Sequence, residues 1–168
     1  HLDHTMDLSR ELALSDSAYD TVVLSDVLEH LPDPRLLMEQ VARVLAPGGK
    51  LILSVPFLYW LHEEPHDYHR YTSHGLERYA EESGLEVIQL TSVGGAMDAA
   101  ADILSKAALS LFKPARFIVS PVQRAVLFFG RIFPGKRIRE KTSGKFPLAY
   151  VLVARKPFKV YAWVDKGY

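Results

Sequence analysis

The chain contains no cysteine. That excludes a disulfide framework, a thiolate nucleophile and any sulfur-ligated metal centre, and it fits a reducing, cytoplasmic setting. Also missing is any run of the roughly 18 apolar residues needed to span a bilayer. The chain shows no signal peptide and no internal repeat, and it begins with His1 rather than Met, which reads as a cut or processed end. What remains is ordinary globular composition, 48% hydrophobic and 24% charged over 168 residues. That is enough for one domain, or one domain with an appendage.

The zero net charge hides a polarity. Residues 1–98 hold 6 Lys and Arg against 17 Asp and Glu, whereas residues 99–168 hold 14 against 3. Two readings stay open: the halves neutralise one another, or the basic half meets something anionic. An anionic membrane is then the expected partner in preference to nucleic acid.

Thr21–Ser25 is a continuous β-branched and apolar run, the pattern of a strand covered on both faces. Asp33 reads as a helix N-cap with Pro34 in the first helical position. Leu36, Leu37, Val41, Val44 and Leu45 then recur at helical spacing. Ala46-Pro47-Gly48-Gly49 ends that helix in a tight turn, and Lys50–Val55 forms the next strand. A polar, aromatic loop over 56–72 leads to a helix over Ser73–Ser83, a strand over Glu86–Val93 and, after a long insertion, a last strand over Leu148–Ala154. Alternating strands and helices predict an α/β layered sheet. Three segments are expected: an α/β core over 1–98, a helical insertion over 99–146, and a final strand with its tail over 147–168.

The stretch from Tyr19-Asp20-Thr21-Val22-Val23-Leu24-Ser25-Asp26-Val27-Leu28-Glu29-His30 to Pro47-Gly48-Gly49-Lys50-Leu51-Ile52 resembles the middle of class I S-adenosylmethionine-dependent methyltransferases, near the type 11 group. The resemblance covers 7–93 and 147–157. It implies the second half of a Rossmann-like sheet, with a final antiparallel strand slotted between its two predecessors, and S-adenosylmethionine as cofactor. It places Ser25, Asp26 and Val27 along the methionine part of the cofactor with His30 close by, and Asp7 and Leu8 at the adenine. For Asp26 and His30 the plainer readings are a helix cap and a packing histidine.

No Gly-x-Gly-x-x-Gly precedes a strand, and only about twenty residues precede the first one, where such enzymes have a glycine-rich loop and further strands. The 168-residue chain is therefore expected to bind the cofactor weakly or not at all, and to self-associate as a homo-oligomer through an uncovered strand edge.

His62-Glu63-Glu64-Pro65-His66 matches the H-E-x-x-H pattern of zinc hydrolases. Pro65 removes the helical turn that would bring both imidazoles to one metal, so no metal ligand is assigned. The loop 56–72 instead hangs over the ligand edge of the sheet. Strings like His66-Asp67-Tyr68-His69-Arg70-Tyr71-Thr72 recur on the acceptor side in some of these enzymes. His66 and His69 are the candidate bases, with Asp67 as orienter and Arg70 as anchor for an anionic group. The plainer reading is an internal Asp67–Arg70 ion pair that shapes the loop.

The expected activity is methyl transfer to a small, sugar-linked or lipid-linked acceptor. A methyltransferase-like binding module without catalysis is the alternative, and a metal hydrolase the weakest reading. In the insertion, Ile103, Leu104, Ala107, Ala108, Leu111 and Phe112 recur on one helical face. A second set comprises Phe117, Ile118, Val122, Val126, Phe129 and Phe133, among basic residues such as Lys106, Lys113 and Arg116. This segment is read either as a lid over the acceptor pocket or as a surface lying peripherally on anionic lipid at the inner membrane.

Overall fold

The computed structural model describes residues 5–111 and 135–158, together with 119, 121, 122, 124, 125, 128 and 132 between them. Strand β1 (Tyr19–Ser25) runs into a 3-10 turn at Leu28–His30, then helix α1 (Pro34–Val44), strand β2 (Leu45–Pro56), helix α2 (Ser73–Glu82) and strand β3 (Glu86–Val93). Helix α3 (Ala96–Leu111), helix α4 (Gly135–Thr142) and strand β4 (Ala149–Arg155) follow. The predicted cap forms, with Asp33 accepting a hydrogen bond from the Arg35 amide, and Thr72 caps α2 in the same way by accepting one from that of Gly75.

The sheet order is β1-β2-β4-β3. β1 and β2 are parallel, and β4 is antiparallel to both of its neighbours. Its entry at Ala149 therefore shares an edge with the exits of the other three strands.

One face of the sheet is the core. Leu51, Leu53 and Val55 of β2 and Leu152 and Ala154 of β4 are buried there against Leu37, Met38 and Val41 of α1 and Leu76 and Ala80 of α2. The opposite face is more open: Val23 is 63% exposed and its register partner Ile52 is 37% exposed. Among the described strands β1 and β3 are the edges. Arg43 binds the amino-terminal segment onto α1 through the carbonyls of Leu12 and Leu14, and Lys156 Nζ donates to those of Arg43 and Leu45 at the helix end.

One expectation changes. Residues 46–49 are no free turn but an irregularity within β2, because the partner of Tyr19 is Leu45 while that of Thr21 is Lys50. Gly48 takes a φ of +83°, and the Gly48 amide and Gly49 carbonyl bond to the backbone of Lys156, which keeps the bulge in the sheet. The apolar positions of α3 are largely open, with Leu104 70% and Leu111 87% exposed. This helix starts at Ala96, so a segment boundary between 98 and 99 falls in its first turn. Asp98, buried, pairs with Arg139 of α4 at 2.5 and 2.8 Å, tying the two helices together. Phe112, Lys113, Arg116, Phe117, Ile118, Val126, Phe129 and Phe133 lie outside the described residues, as do 159–168. No helix among the described residues is long and apolar enough to cross a membrane.

Leu152 faces the core with no exposure and Val23 faces outward. Leu152→Ala is expected to cost about 2–5 kcal/mol in denaturant unfolding, and Val23→Ala within about 0.5 kcal/mol.

Candidate active site

The strand exits converge on a cavity of about 420 Å³. Asp26 and His30 reach it from the end of β1, Tyr59 and His62 from the loop after β2, and Asp102 from α3. Asp26 sits at a φ of +52° just past the strand, its amide bonded to the Ser54 carbonyl. The Ser25 hydroxyl donates to its carboxylate at 3.3 Å and the Ser54 hydroxyl lies 3.5 Å from it. The tight bend and these two hydroxyls fix the acid at the mouth.

The loop is anchored from below. The Glu29 carbonyl accepts hydrogen bonds from the amides of Tyr68 and His69, and the Tyr71 hydroxyl donates to the Leu28 carbonyl. Within the loop, Arg70 donates to both carboxylate oxygens of Asp67, at 2.6 and 2.7 Å, and to the carbonyls of His69 and Trp60. The His62 amide also donates to Asp67. These bonds, the Arg70 hydrogen bonds foremost, hold the Asp67 carboxyl well below the usual carboxylate range and raise the guanidinium.

Glu29 stands apart. Its side chain is enclosed, neither carboxylate oxygen has a hydrogen-bond partner, and burial pushes its pKa up. The imidazoles of His30 and His62 lie beside it, edge to face at 4.7 Å.

Of the residues expected at the cofactor, Asp26 and His30 line the cavity and Ser25 braces Asp26. Val27 and Leu8 pack against the core instead. Asp7 is exposed and accepts from the amide and hydroxyl of Ser9, bonds that lower its pKa. Neither Asp7 nor Leu8 lines the cavity. Of the acceptor-side set, Asp67 and Arg70 are joined in the internal pair. His66 is exposed and meets the Tyr68 hydroxyl at 3.0 Å, while His69 Nε2 is buried with no partner. The imidazoles at the cavity are thus His30 and His62.

Sequence reasoning assigned Glu29, Tyr59 and Asp102 no role. A glutamate within a buried Leu-Glu-His turn is a signal that could have found the first.

A second, apolar groove of about 410 Å³ runs between the loop residues Phe57, Tyr59 and Trp60 and the α3 residues Ile103 and Lys106. Lys106 pairs with Asp102 at 2.5 Å and lays its ammonium over the Tyr59 ring, 3.2 Å from the centroid. Tyr59 borders both spaces.

Residues 1–90 match the model of a family described as a methyltransferase domain. The chain belongs to that family. Among curated proteins it is similar to a ubiquinone biosynthesis O-methyltransferase from Xanthomonas oryzae pv. oryzae, 39% identical over 54 residues, which is 32% of this chain and 23% of the relative. It is also similar to one of the same name from Coxiella burnetii, 28% identical over 92 residues, 45% of this chain and 39% of the relative. The aligned part thus spans less than half the length of these curated relatives.

Solved structures share the fold. The [4+2]-cyclase SpnF superposes with a TM-score of 0.54 at 20% identity, over 92% of this chain and 55% of that one. A SAM-dependent methyltransferase from Methanosarcina mazei gives 0.53 at 16% identity, over 92% and 66%. A cyclase among these neighbours illustrates that one fold hosts several chemistries.

Removing the guanidinium leaves the Asp67 carboxylate, its side chain 2% exposed, without its cation and with the His62 amide as remaining donor. Arg70→Ala is expected to lose about 3 kcal/mol at neutral pH. Because the folded pKa of Asp67 is depressed, its contribution is complete above the ordinary aspartate value of about 4 and is lost as pH falls from there through the folded pKa. Denaturant midpoints measured from pH 7 to pH 2 should show an acid slope in the parent chain that is flatter in Arg70→Ala.

Proposed function

We propose that this chain carries part of the site of an S-adenosylmethionine-dependent methyltransferase acting on a small, sugar-linked or lipid-linked acceptor. The observation that carries the reading is the charge of the cavity at the strand exits. Asp26 and Glu63 line it as free acids, Asp102 as an acid paired with Lys106, and Glu29 as an enclosed one, together with two imidazoles; no lysine or arginine among the described residues lines it. An acidic wall suits the cationic sulfonium and ammonium of the cofactor's methionine end. Bound there, S-adenosylmethionine supplies a methyl group on positively charged sulfur, which leaves as a neutral thioether when the acceptor attacks.

The residues of the chain hold and orient. Asp26, fixed by its bend and by Ser25 and Ser54, faces the cationic end. Tyr59 and His62 close the opposite wall, where the acceptor enters. His66 and His69, the bases expected from the sequence, do not line the cavity, so the reading leans on alignment of the reactants. The relatives named as O-methyltransferases support oxygen as the methylated atom. A binding module without catalysis would keep the same acidic cavity but transfer nothing.

Nuclear magnetic resonance of the labelled chain with millimolar S-adenosylmethionine tests this. Shifts are expected at Asp26 and His30, smaller with S-adenosylhomocysteine, which lacks the sulfonium charge, and abolished in Asp26→Lys. Shifts equal for both ligands, or unchanged in Asp26→Lys, would remove the acidic wall as the cofactor site.

The open apolar face of α3 favours a second element of function. Ile103, Leu104 and Leu111 are half to almost fully exposed, in the half of the chain that carries 14 basic and 3 acidic residues. We propose that the 99–146 segment lies on anionic lipid and collects the acceptor there, rather than closing as a lid. The chain should cosediment with phosphatidylglycerol vesicles at low salt and less so as salt rises. Equal recovery in the supernatant with neutral and anionic vesicles would leave only the lid.

A further inference from the structure

Three electron-pair donors converge on one point beneath the cavity. Glu29 is fully enclosed, and neither of its carboxylate oxygens meets a hydrogen-bond donor. His30 Nε2 lies 3.8 Å and His62 Nε2 3.9 Å from Glu29 Oε1. Both distances are too long for hydrogen bonds, so protonated imidazoles would leave the carboxylate unsatisfied where they stand.

The far nitrogens say which way each ring is set. His30 Nδ1 lies 2.6 Å from the His66 carbonyl oxygen, which only accepts, so this nitrogen carries the proton. His62 Nδ1 lies 3.1 Å from Asp67 Oδ2, an ion-pair distance without hydrogen-bond alignment. That carboxylate likewise favours the proton on Nδ1. In that tautomer the nitrogen nearest Glu29 in each ring is the unprotonated Nε2. The donor atoms all lie within 4.8 Å of one another. Without a cation between them, such atoms repel.

We propose that Glu29, His30 and His62 bind one divalent transition-metal ion of the zinc type. Two imidazole nitrogens and a carboxylate oxygen form a donor set that zinc takes in sites with one open position, whereas magnesium prefers oxygen alone. The His66 carbonyl and the Asp67 carboxylate are the outer partners that orient the two rings. With metal–ligand bonds of about 2 Å, the ligand atoms would close to about 3.4 Å from one another, which draws in the two His–Glu29 pairs by about half an ångström and the widest pair, within 4.8 Å, by up to about 1.4 Å. The open position faces the cavity bordered by Asp26 and Tyr59, where it would take water or a ligand oxygen.

The H-E-x-x-H string enters this site in an unexpected way. Only His62 of its two imidazoles serves. The other, His66, turns its ring to Tyr68 and offers its backbone oxygen to His30. The missing ligands come from the turn after β1, more than thirty positions upstream.

The test uses the whole 168-residue chain, stripped with chelator and titrated with zinc chloride by calorimetry and with cobalt chloride by visible absorption. One equivalent of zinc should bind at micromolar concentration or below, and cobalt should produce a ligand-field band. His62→Ala and Glu29→Gln should each weaken zinc at least tenfold, while His74→Ala, 91% exposed on α2, should bind like the parent. Melting curves by circular dichroism accompany each variant, and His62→Ala, on the loop, serves if Glu29→Gln does not fold. Absence of stoichiometric zinc, full binding by His62→Ala, or displacement of zinc by equimolar magnesium would each overturn the proposal. The outcome is independent of methyl transfer, because the readout is the metal alone.

Discussion

The described sheet holds together because β4 pairs on both of its sides. β2 and β3 are not neighbours in the sheet; each bonds to β4, β2 over Lys50–Pro56 and β3 over Glu86–Val93. A strand so placed has no solvated face to spare on the core side, and Leu152 and Ala154 are fully buried there. Its antiparallel direction has a second effect. The segment leading into β4, Leu148 and Ala149, arrives at the strand exits, so a late part of the chain closes a cavity opened by an early part. Fold and site therefore depend on the same pairing.

The site is a balance of unlike carboxylates. The Asp67 side chain is enclosed and fully paired, so its charge is stabilised and the loop is tied together around it. Glu29 is buried and unpaired, so its charged form is disfavoured. Asp26 is exposed at the mouth and braced by two hydroxyls. Acids in three environments within one loop cluster behave differently toward the same ligand, because desolvation and partners, not residue type, set their charge.

Much of the fold was legible in the chain because its signals are local. The Asp33-Pro34 cap, the apolar spacing of α1 and the β-branched runs of β1 and β2 each act over a few residues. The antiparallel last strand and its central place came from resemblance, and the sheet has that order. The 46–49 bulge was read as a turn because Pro and Gly signal a chain reversal equally well; the backbone of Lys156, over a hundred residues away, and the pairing with β1 on either side hold the segment in the sheet. Asp26 and His30 reached the cavity because residues just past a strand end have few other places to go. The loop 57–72 was harder. Its order comes from backbone carbonyls of Glu29 and Leu28 and from an internal ion pair, and no periodicity records such contacts. The exposed face of α3 follows the helical spacing read from the sequence, but spacing cannot say whether a face meets a neighbour.

Tyr59 is shared by the acidic cavity and the apolar groove, and the Lys106 ammonium rests on its ring. One aromatic wall serving two chambers makes them thermodynamic neighbours. A ligand that turns the ring from one side changes the shape offered on the other, and by linkage the effect runs equally in both directions. Reciprocal cooperativity between a cationic guest and an apolar one thus needs no domain movement, only two favoured settings of a single side chain.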